Sequence, residues 1–347
     1  NGETNMLEAP LFLVIAIIVI ALIFDFTNGF HDSANSISTV VSTKVLSPRN
    51  AVMFAAFFNF AAAFGFGVAV ASTIAKIIQL DYVDATVVPY IILSALVGAI
   101  AWNLITWFIG LPTSSSHALI GGLAGAGISA AGFAAVKWST VGEVAAFMII
   151  SPIIGLVCGF LFMAAILWLT RSITKPIAET YFKRLQLCSA AAYSFSHGTN
   201  DAQKTIGIIL PLLFSIGFFG VAADPNHLPV PTWLIIVSYV TIALGTLAGG
   251  WRIVRTMGYK ITKLRPVHGF AAETAGAATI LGASVAGIPV STTHVICSSI
   301  MGVGSTMGAS TVKWGVARSI MSAWILTIPV SACIGFAAFQ VIRLIVG

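Results

Sequence analysis

Two polar stretches, each set in apolar sequence, align with one another without a gap. Phe26-Thr27-Asn28-Gly29-Phe30-His31-Asp32-Ser33-Ala34-Asn35-Ser36-Ile37 follows an aliphatic run from Leu11 to Phe24. Phe195-Ser196-His197-Gly198-Thr199-Asn200-Asp201-Ala202-Gln203-Lys204-Thr205-Ile206 repeats it, with Asp201 under Asp32. A motif that recurs at corresponding places indicates a duplicated fold. A carboxylate at the centre of a bilayer costs roughly 3 kcal/mol or more, so residues of this kind at membrane depth mark a functional site.

The membrane itself follows from composition. Of 347 residues, 58% are hydrophobic and 8% charged, against roughly 25% charged in soluble domains. Apolar runs of about 20 residues recur, the length needed to cross roughly 30 Å of hydrocarbon. The N-terminus, Asn1 to Glu8, is acidic and no small-residue cleavage site follows the first apolar run, so no cleavable signal peptide is expected. The net charge of +6 reads as basic cytoplasmic loops in contact with anionic membrane lipid. Nucleic-acid binding gains no support, because the basic residues lie in short interhelical loops. Cys158, Cys188, Cys297 and Cys333 sit inside apolar runs without CxxC spacing and read as small core hydrophobes.

In chain order, a first span from Leu7 to Val41 is interrupted by the His31-Asp32 block and is expected to be a broken helix, with Asp25 as a helix-end charge. Spans follow at about Ala51 to Ala75, containing Asn59, and Val88 to Leu111, containing Asn103. Pro112-Thr113-Ser114-Ser115-Ser116-His117 opens the next span with proline and capping hydroxyls. The glycines Gly121, Gly122, Gly125 and Gly127 behind it permit close packing, and permit a homodimer without demanding one. After a span at Val144 to Leu169, the second half repeats the order. Gln186 to Phe219 holds the second Asp motif, Gly287-Ile288-Pro289-Val290-Ser291-Thr292-Thr293-His294 is the counterpart of Gly110 to His117, and Val312-Lys313-Trp314 echoes Val136-Lys137-Trp138.

The expected architecture is an all-α polytopic membrane protein of ten to twelve transmembrane segments, in two inverted repeats with broken helices. The repeats are 1–170 and 186–347, joined by a basic cytoplasmic linker, 171–185. About five crossings per half make the halves inverted. Both termini then lie outside the cell (inner) membrane, with Lys44/Arg49, the linker and the Arg252 to Arg265 loop inside and the Asp81/Asp84 and Asp224 loops outside.

Inverted repeats with discontinuous helices are the architecture of secondary transporters, whose substrate sits near the midplane. Each Pro-hydroxyl-His segment reads as a half-helix N-terminus, where free N–H groups and the dipole suit an oxyanion. Asp32 and Asp201 would repel that anion and so require an intervening cation. Oxygen ligands from Asp, Asn and Ser suit Na⁺ or a proton. A single Ser/Thr run is more often interhelical glue; finding it twice, between Pro and His, reverses that preference. His117 and His294 divide evenly between ligand and backbone partner. No HExxH or paired Cys/His spacing supports zinc. Glu273 reads as functional although its repeat counterpart lies near the apolar Ile92. Lys204 is placed either to reach an anionic substrate or to pair with Asp201 or Glu273.

These motifs resemble the inorganic phosphate transporter (PiT) family, prokaryotic branch, over nearly the whole chain. The resemblance implies alternating-access import of phosphate by symport with Na⁺ or H⁺, with no enzymatic activity and no cofactor beyond the co-transported ion. The phosphate ligands expected are Ser114, Ser115, Ser116, Ser291, Thr292, Thr293, Asn35 and Gln203. The cation ligands expected are Asp32, Asp201, Asn35, Asn200, Asn59 and Glu273. His31 stands where the family usually has Asn, and Asn59 and Ile92 stand where animal members carry glutamates. Losing those acids favours Na⁺ over a proton relay. The alternatives are a proton-coupled (metal-)phosphate symporter and an uncoupled anion channel; a membrane enzyme on phosphate esters would need a nucleophile–base pair that is not recognisable here.

Overall fold

The computed structural model describes residues 10–65, 67–220, 224 and 228–346. The acidic N-terminus, Asn1 to Glu8, lies outside the described residues. Among those residues the structure is helical, apart from one isolated antiparallel bridge between Ile78 and Val136.

Helix α1 (Leu11–Ser42) runs without interruption through the first Asp motif. The expected break is absent because none of the polar residues is a proline, and each still offers a backbone N–H to the helical ladder. Asp25, read as a helix-end charge, therefore lies inside α1 and is fully buried. The second Asp motif sits within the equally continuous α7 (Lys175–Ser215), which also takes up the expected linker from Lys175 onward.

The breaks fall in the spans that follow. Helix α2 (Pro48–Ala61) continues after a sharp turn as α3 (Ala69–Ala75), the pair bent by 84°. Helix α8 (Thr232–Ala248) bends by 59° into α9 (Trp251–Arg255), whose last turn widens to π geometry over Thr256–Lys260. Gly249, with φ of 74°, supplies the left-handed residue that the second bend requires.

Helix α4 (Val88–Ile109) ends on left-handed Gly110, and the extended Leu111-Pro112-Thr113 leads into α5 (Ser115–Ala131). Helix α10 (Pro266–Val285) leads in the same way, through left-handed Gly287, into α11 (Thr292–Ser305). The long helices α6 (Trp138–Leu169) and α12 (Trp314–Val346) follow them.

Packing partners also recur. Helix α5 lies on α4 and on α12, while α11 lies on α10 and on α6. Glycine makes this possible: a Cβ on Gly125 would come within 2.0 Å of Ala332 O, and one on Gly302 within 2.0 Å of Leu156 O. A Cβ on Gly122 would meet Ala95 O of α4 at 2.5 Å. The glycine-rich face of α5 is thus spent inside the chain and is not free for a second copy. Two further details match between the halves. Lys137 N–H donates to Ile77 O and Lys313 N–H to Ile261 O, each at 2.9 Å. The indoles of Trp138 and Trp314 donate to Phe133 O and Ala309 O at 2.9 and 2.8 Å.

Among the described residues four helices, α1, α4, α6 and α12, are long and apolar enough to cross a membrane, and six spans result if each bent pair counts as one. The expected ten to twelve segments include helices that do not meet this standard. Helix α5 is buried continuously over Ser115–Gly127, and every residue of α11 except Ser305 is buried. A helix enclosed by protein needs neither the length nor the apolarity of one that faces lipid. Only 28% and 22% of the apolar windows of α6 and α12 are buried, so these two form the lipid-facing outside. The chain is a multi-pass membrane protein.

Candidate functional site

The two short buried helices begin close to one another. Ser114 and Ser291 are their N-caps, accepting from His117 N–H at 3.3 Å and His294 N–H at 3.1 Å. The imidazoles of His117 and His294 meet edge to face with centroids 4.9 Å apart. Two helix N-termini therefore converge in the protein interior, each with N–H groups that the helix leaves unpaired. The Ser115 hydroxyl and all four ring nitrogens of the two histidines are buried without a hydrogen-bond partner. Trp324 of α12 stacks on His294 at 3.9 Å and donates to Pro112 O at 2.9 Å, tying the extended segment before α5 to the start of α11.

The two aspartates flank the α11 terminus. Thr293 Oγ1 lies 3.4 Å from Asp32 Oδ2 and Thr292 Oγ1 lies 3.4 Å from Asp201 Oδ2. Asn35 Nδ2 contacts both hydroxyls, at 2.9 Å to Thr293 and 3.3 Å to Thr292. Oxygens of Asp32 and Asp201 and a nitrogen of His197 all lie within 4.8 Å of one another.

Each Asp is held by neighbours on its own helix. His31 Nδ1 donates to Asp32 Oδ1 at 2.6 Å, with Nε2 at 3.2 Å from Thr106 Oγ1 of α4. Lys204 donates to Asp201 Oδ1 and His197 Nε2 stands 3.3 Å from Asp201 Oδ2.

The proton on His197 can be placed by following its partners. Thr246 Oγ1 gives its hydrogen to Ile242 O at 2.9 Å and so accepts from Asn59 Nδ2, also at 2.9 Å. That fixes the Asn59 amide with its oxygen toward His197 Nδ1, 3.2 Å away. An amide oxygen can only accept, so His197 Nδ1 carries the hydrogen. Nε2 stands 3.3 Å from Asp201 Oδ2 without a formed hydrogen bond, leaving a gap between the ring and the carboxylates. Such a gap suits a positive ion.

These motifs have counterparts in known proteins. Residues 28–335 match the phosphate transporter family. The chain belongs to this family. Over 323 residues it is 50% identical to a probable low-affinity inorganic phosphate transporter of Rhizobium meliloti, covering 93% of this chain and 94% of that protein. It is 45% identical to a probable low-affinity inorganic phosphate transporter of Bacillus subtilis, covering 98% of this chain and all (100%) of the relative. A solved structure titled "The sodium-dependent phosphate transporter" superposes with a TM-score of 0.85 at 27% identity, over 96% of this chain and 100% of that one. Proteins of this class move phosphate and are not enzymes.

The transporter gathers most of the residues singled out in its sequence. Asp32, Asp201, Asn35, Thr292 and Thr293 share direct contacts, and Ser114, Ser115, Ser116 and Ser291 lie at the two converging termini. Others are engaged elsewhere. Gln203 accepts from Val70 and Ala71 N–H at 2.9 and 3.2 Å and donates to Gly67 O and Thr199 O at 2.8 and 2.7 Å. Its amide is fully occupied in capping α3 at the bend, which leaves nothing for phosphate. Asn200 donates to Ser284 of α10 at 3.0 Å, and Asn59 acts through His197.

Glu273 is remote from the cluster. It accepts from Gln186 at 3.0 Å and Ser189 at 2.5 Å, and Ser189 precedes Asp201 along α7 by about 18 Å of helical rise. Of the pairings open to Lys204, the transporter adopts the one with Asp201. His197, Thr106, Thr113 and Trp324 were not singled out as site residues from sequence. His197 could have been, since it aligns with Asn28 in the repeated motif, and so could Thr113, which lies within the first Pro-hydroxyl-His segment and donates to Thr106 Oγ1 at 2.9 Å; Thr106 and Trp324 carry no such signal.

Proposed function

We propose that this transporter imports inorganic phosphate together with Na⁺ by alternating access. The observation that carries the reading is the convergence of Asp32, Asp201 and His197 beside the threonines that open α11. Na⁺ held by the two carboxylates cancels their repulsion of phosphate, and Thr292, Thr293, Asn35, Ser115 and Ser116 then receive the anion at the N-termini of α5 and α11. The solved neighbour's title names sodium dependence for that protein, and the shared fold supports the same coupling here. The recurring helix order and packing partners support two inverted repeats, 1–170 and 186–347, in the cell (inner) membrane with both termini outside.

Uptake of radiolabelled phosphate into liposomes tests this. Accumulation is expected under an inward Na⁺ gradient, none under an inward H⁺ gradient with K⁺ replacing Na⁺, and none without a gradient. A second reading, proton coupling, draws on the 2.6 Å His31–Asp32 contact, which could carry a proton as a unit. Accumulation under the proton gradient alone would favour it, and equilibration without either gradient would favour a channel.

A further inference from the structure

The exposed surface of α6 marks the edge of the bilayer. Its exposed apolar side chains run from Ile149 to Leu169, about 30 Å of helical rise, which matches the thickness of the hydrocarbon layer. Trp168 stands at the end of the run, 64% exposed, at the level where amphipathic aromatic rings collect. The residues that follow therefore lie among lipid headgroups.

A cavity of about 230 Å³ opens at this level. It is enclosed by the end of α6, the turn after it and the starts of α7 and α10. Arg171, Lys175 and Arg265 are its cations, and Leu167 and Ile173 belong to its apolar lining. Glu179 is the carboxylate in that lining, and Lys183 pairs with it at 3.7 Å. Among the described residues none of the three cations forms an ion pair. Arg171 lies over the Trp168 ring at 5.4 Å, so its guanidinium sits beside the lipid-facing surface. Arg252, in another basic loop, shows the contrast. Its guanidinium is engaged by Phe108 O at 2.6 Å and by the rings of Trp107 and Phe108.

Three cations without counter-charges around one cavity suit an anion, and the apolar rim decides which kind. Leu167 and Ile173 are about half exposed beside the basic groups, and Ile177 and Tyr181 continue that surface along α7. A free anion gains nothing from such a rim, whereas a phospholipid brings an anion and acyl chains together. Basic pockets between helices at the membrane surface take anionic headgroups for this reason.

We infer that this cavity binds an anionic phospholipid, its phosphate among Arg171, Lys175 and Arg265 and its acyl chains along Leu167 and Ile173. Under the topology proposed above the lipid belongs to the cytoplasmic leaflet, and the site stands whichever ion is coupled to phosphate. The headgroup ties together α6, which packs on α11, α7, which carries Asp201, and α10, which leads into α11.

Native mass spectrometry of the purified protein in detergent tests the inference, with phosphatidylglycerol or phosphatidylcholine of the same acyl chains titrated in. Wild type is expected to bind a first phosphatidylglycerol more tightly than phosphatidylcholine. Arg171→Gln and Arg265→Gln should each weaken it about fivefold, or 1 kcal/mol. Lys44→Gln, which removes the same charge from another basic loop, should leave the affinity within about twofold of wild type. All three side chains are exposed, so glutamine leaves the packing intact. Equal affinity for the two lipids would overturn the site, and so would equal losses in Arg265→Gln and Lys44→Gln, which belong to diffuse surface charge. Displacement of the lipid by inorganic phosphate at constant ionic strength would give the cavity to the free anion and overturn the lipid assignment.

Discussion

The Lys204 ammonium donates to Asp201 from one turn further along α7, and neither side chain has any exposed surface. The pair makes the two repeated aspartates unequal, because Asp32 has an imidazole as its partner while Asp201 has a fixed positive charge. Asp201→Asn should therefore cost about 3–5 kcal/mol of stability, the usual penalty for stranding one member of a buried ion pair. Lys204→Met in the same chain should recover most of it. Thermal unfolding of the purified protein in detergent measures both changes.

Asp32→Asn is the cleaner probe of transport. The asparagine oxygen can still accept from His31 Nδ1 in the same place, so the melting temperature should remain close to wild type. Na⁺-driven phosphate uptake should fall by about tenfold to a hundredfold, the worth of one hydrogen-bonded charge. Wild-type uptake by this variant would remove the Asp32 cluster from the coupling mechanism.

The capping serines should act on both stability and substrate. Ser114→Ala and Ser291→Ala each remove the acceptor for a first-turn N–H, at about 1 kcal/mol apiece. Each should also raise the KM for phosphate, since the N–H groups of that turn lose their fixed direction. A fall in melting temperature with KM unchanged would detach these termini from the substrate.

Gly29 and Gly198 occupy the same place in the two Asp motifs. A Cβ at Gly29 would stand 2.2 Å from Ile242 O of α8, and one at Gly198 2.5 Å from Asn59 O of α2. Alanine at either should cost about 1–3 kcal/mol through overpacking, whereas Gly142→Ala, with no atom within 4 Å of the added carbon, should gain about 0.5–1 kcal/mol. Chemical or thermal denaturation of the three variants measures the contrast.

Glu273→Gln should leave Na⁺ affinity within about twofold of wild type, because some 18 Å of α7 separates its hydrogen-bond partner Ser189 from Asp201. Sodium titration of phosphate uptake checks this, and a large loss of Na⁺ affinity would return Glu273 to the cation site.

Much of this arrangement can be read from the chain because polar residues are conspicuous in apolar sequence. The Asp motifs and the Pro-hydroxyl-His segments stand out for that reason, and repetition separates them from chance. Backbone geometry was less legible. The polar block of α1 looks like a helix breaker, yet Asn28, His31 and Asp32 disrupt solvation and not the backbone ladder, so α1 stays whole. The true bends lie at Gly65 and Gly249, residues of a type also found in straight helices such as α5. Partners distant in sequence were hidden as well. Gln203 is bonded to Val70 and Asn59 to His197 only because α2 and α3 fold against α7, and no local pattern announces that contact.

The exchange of short helices has a consequence for biosynthesis. Helix α5 is complete well before α12, one of the surfaces it packs against, has been made. Until then its glycine face and the first anion-binding terminus have no cover from that side. Assembly of the substrate site is therefore a late event that needs both halves present, and a first half made alone would enter the bilayer with its most polar helix start unshielded.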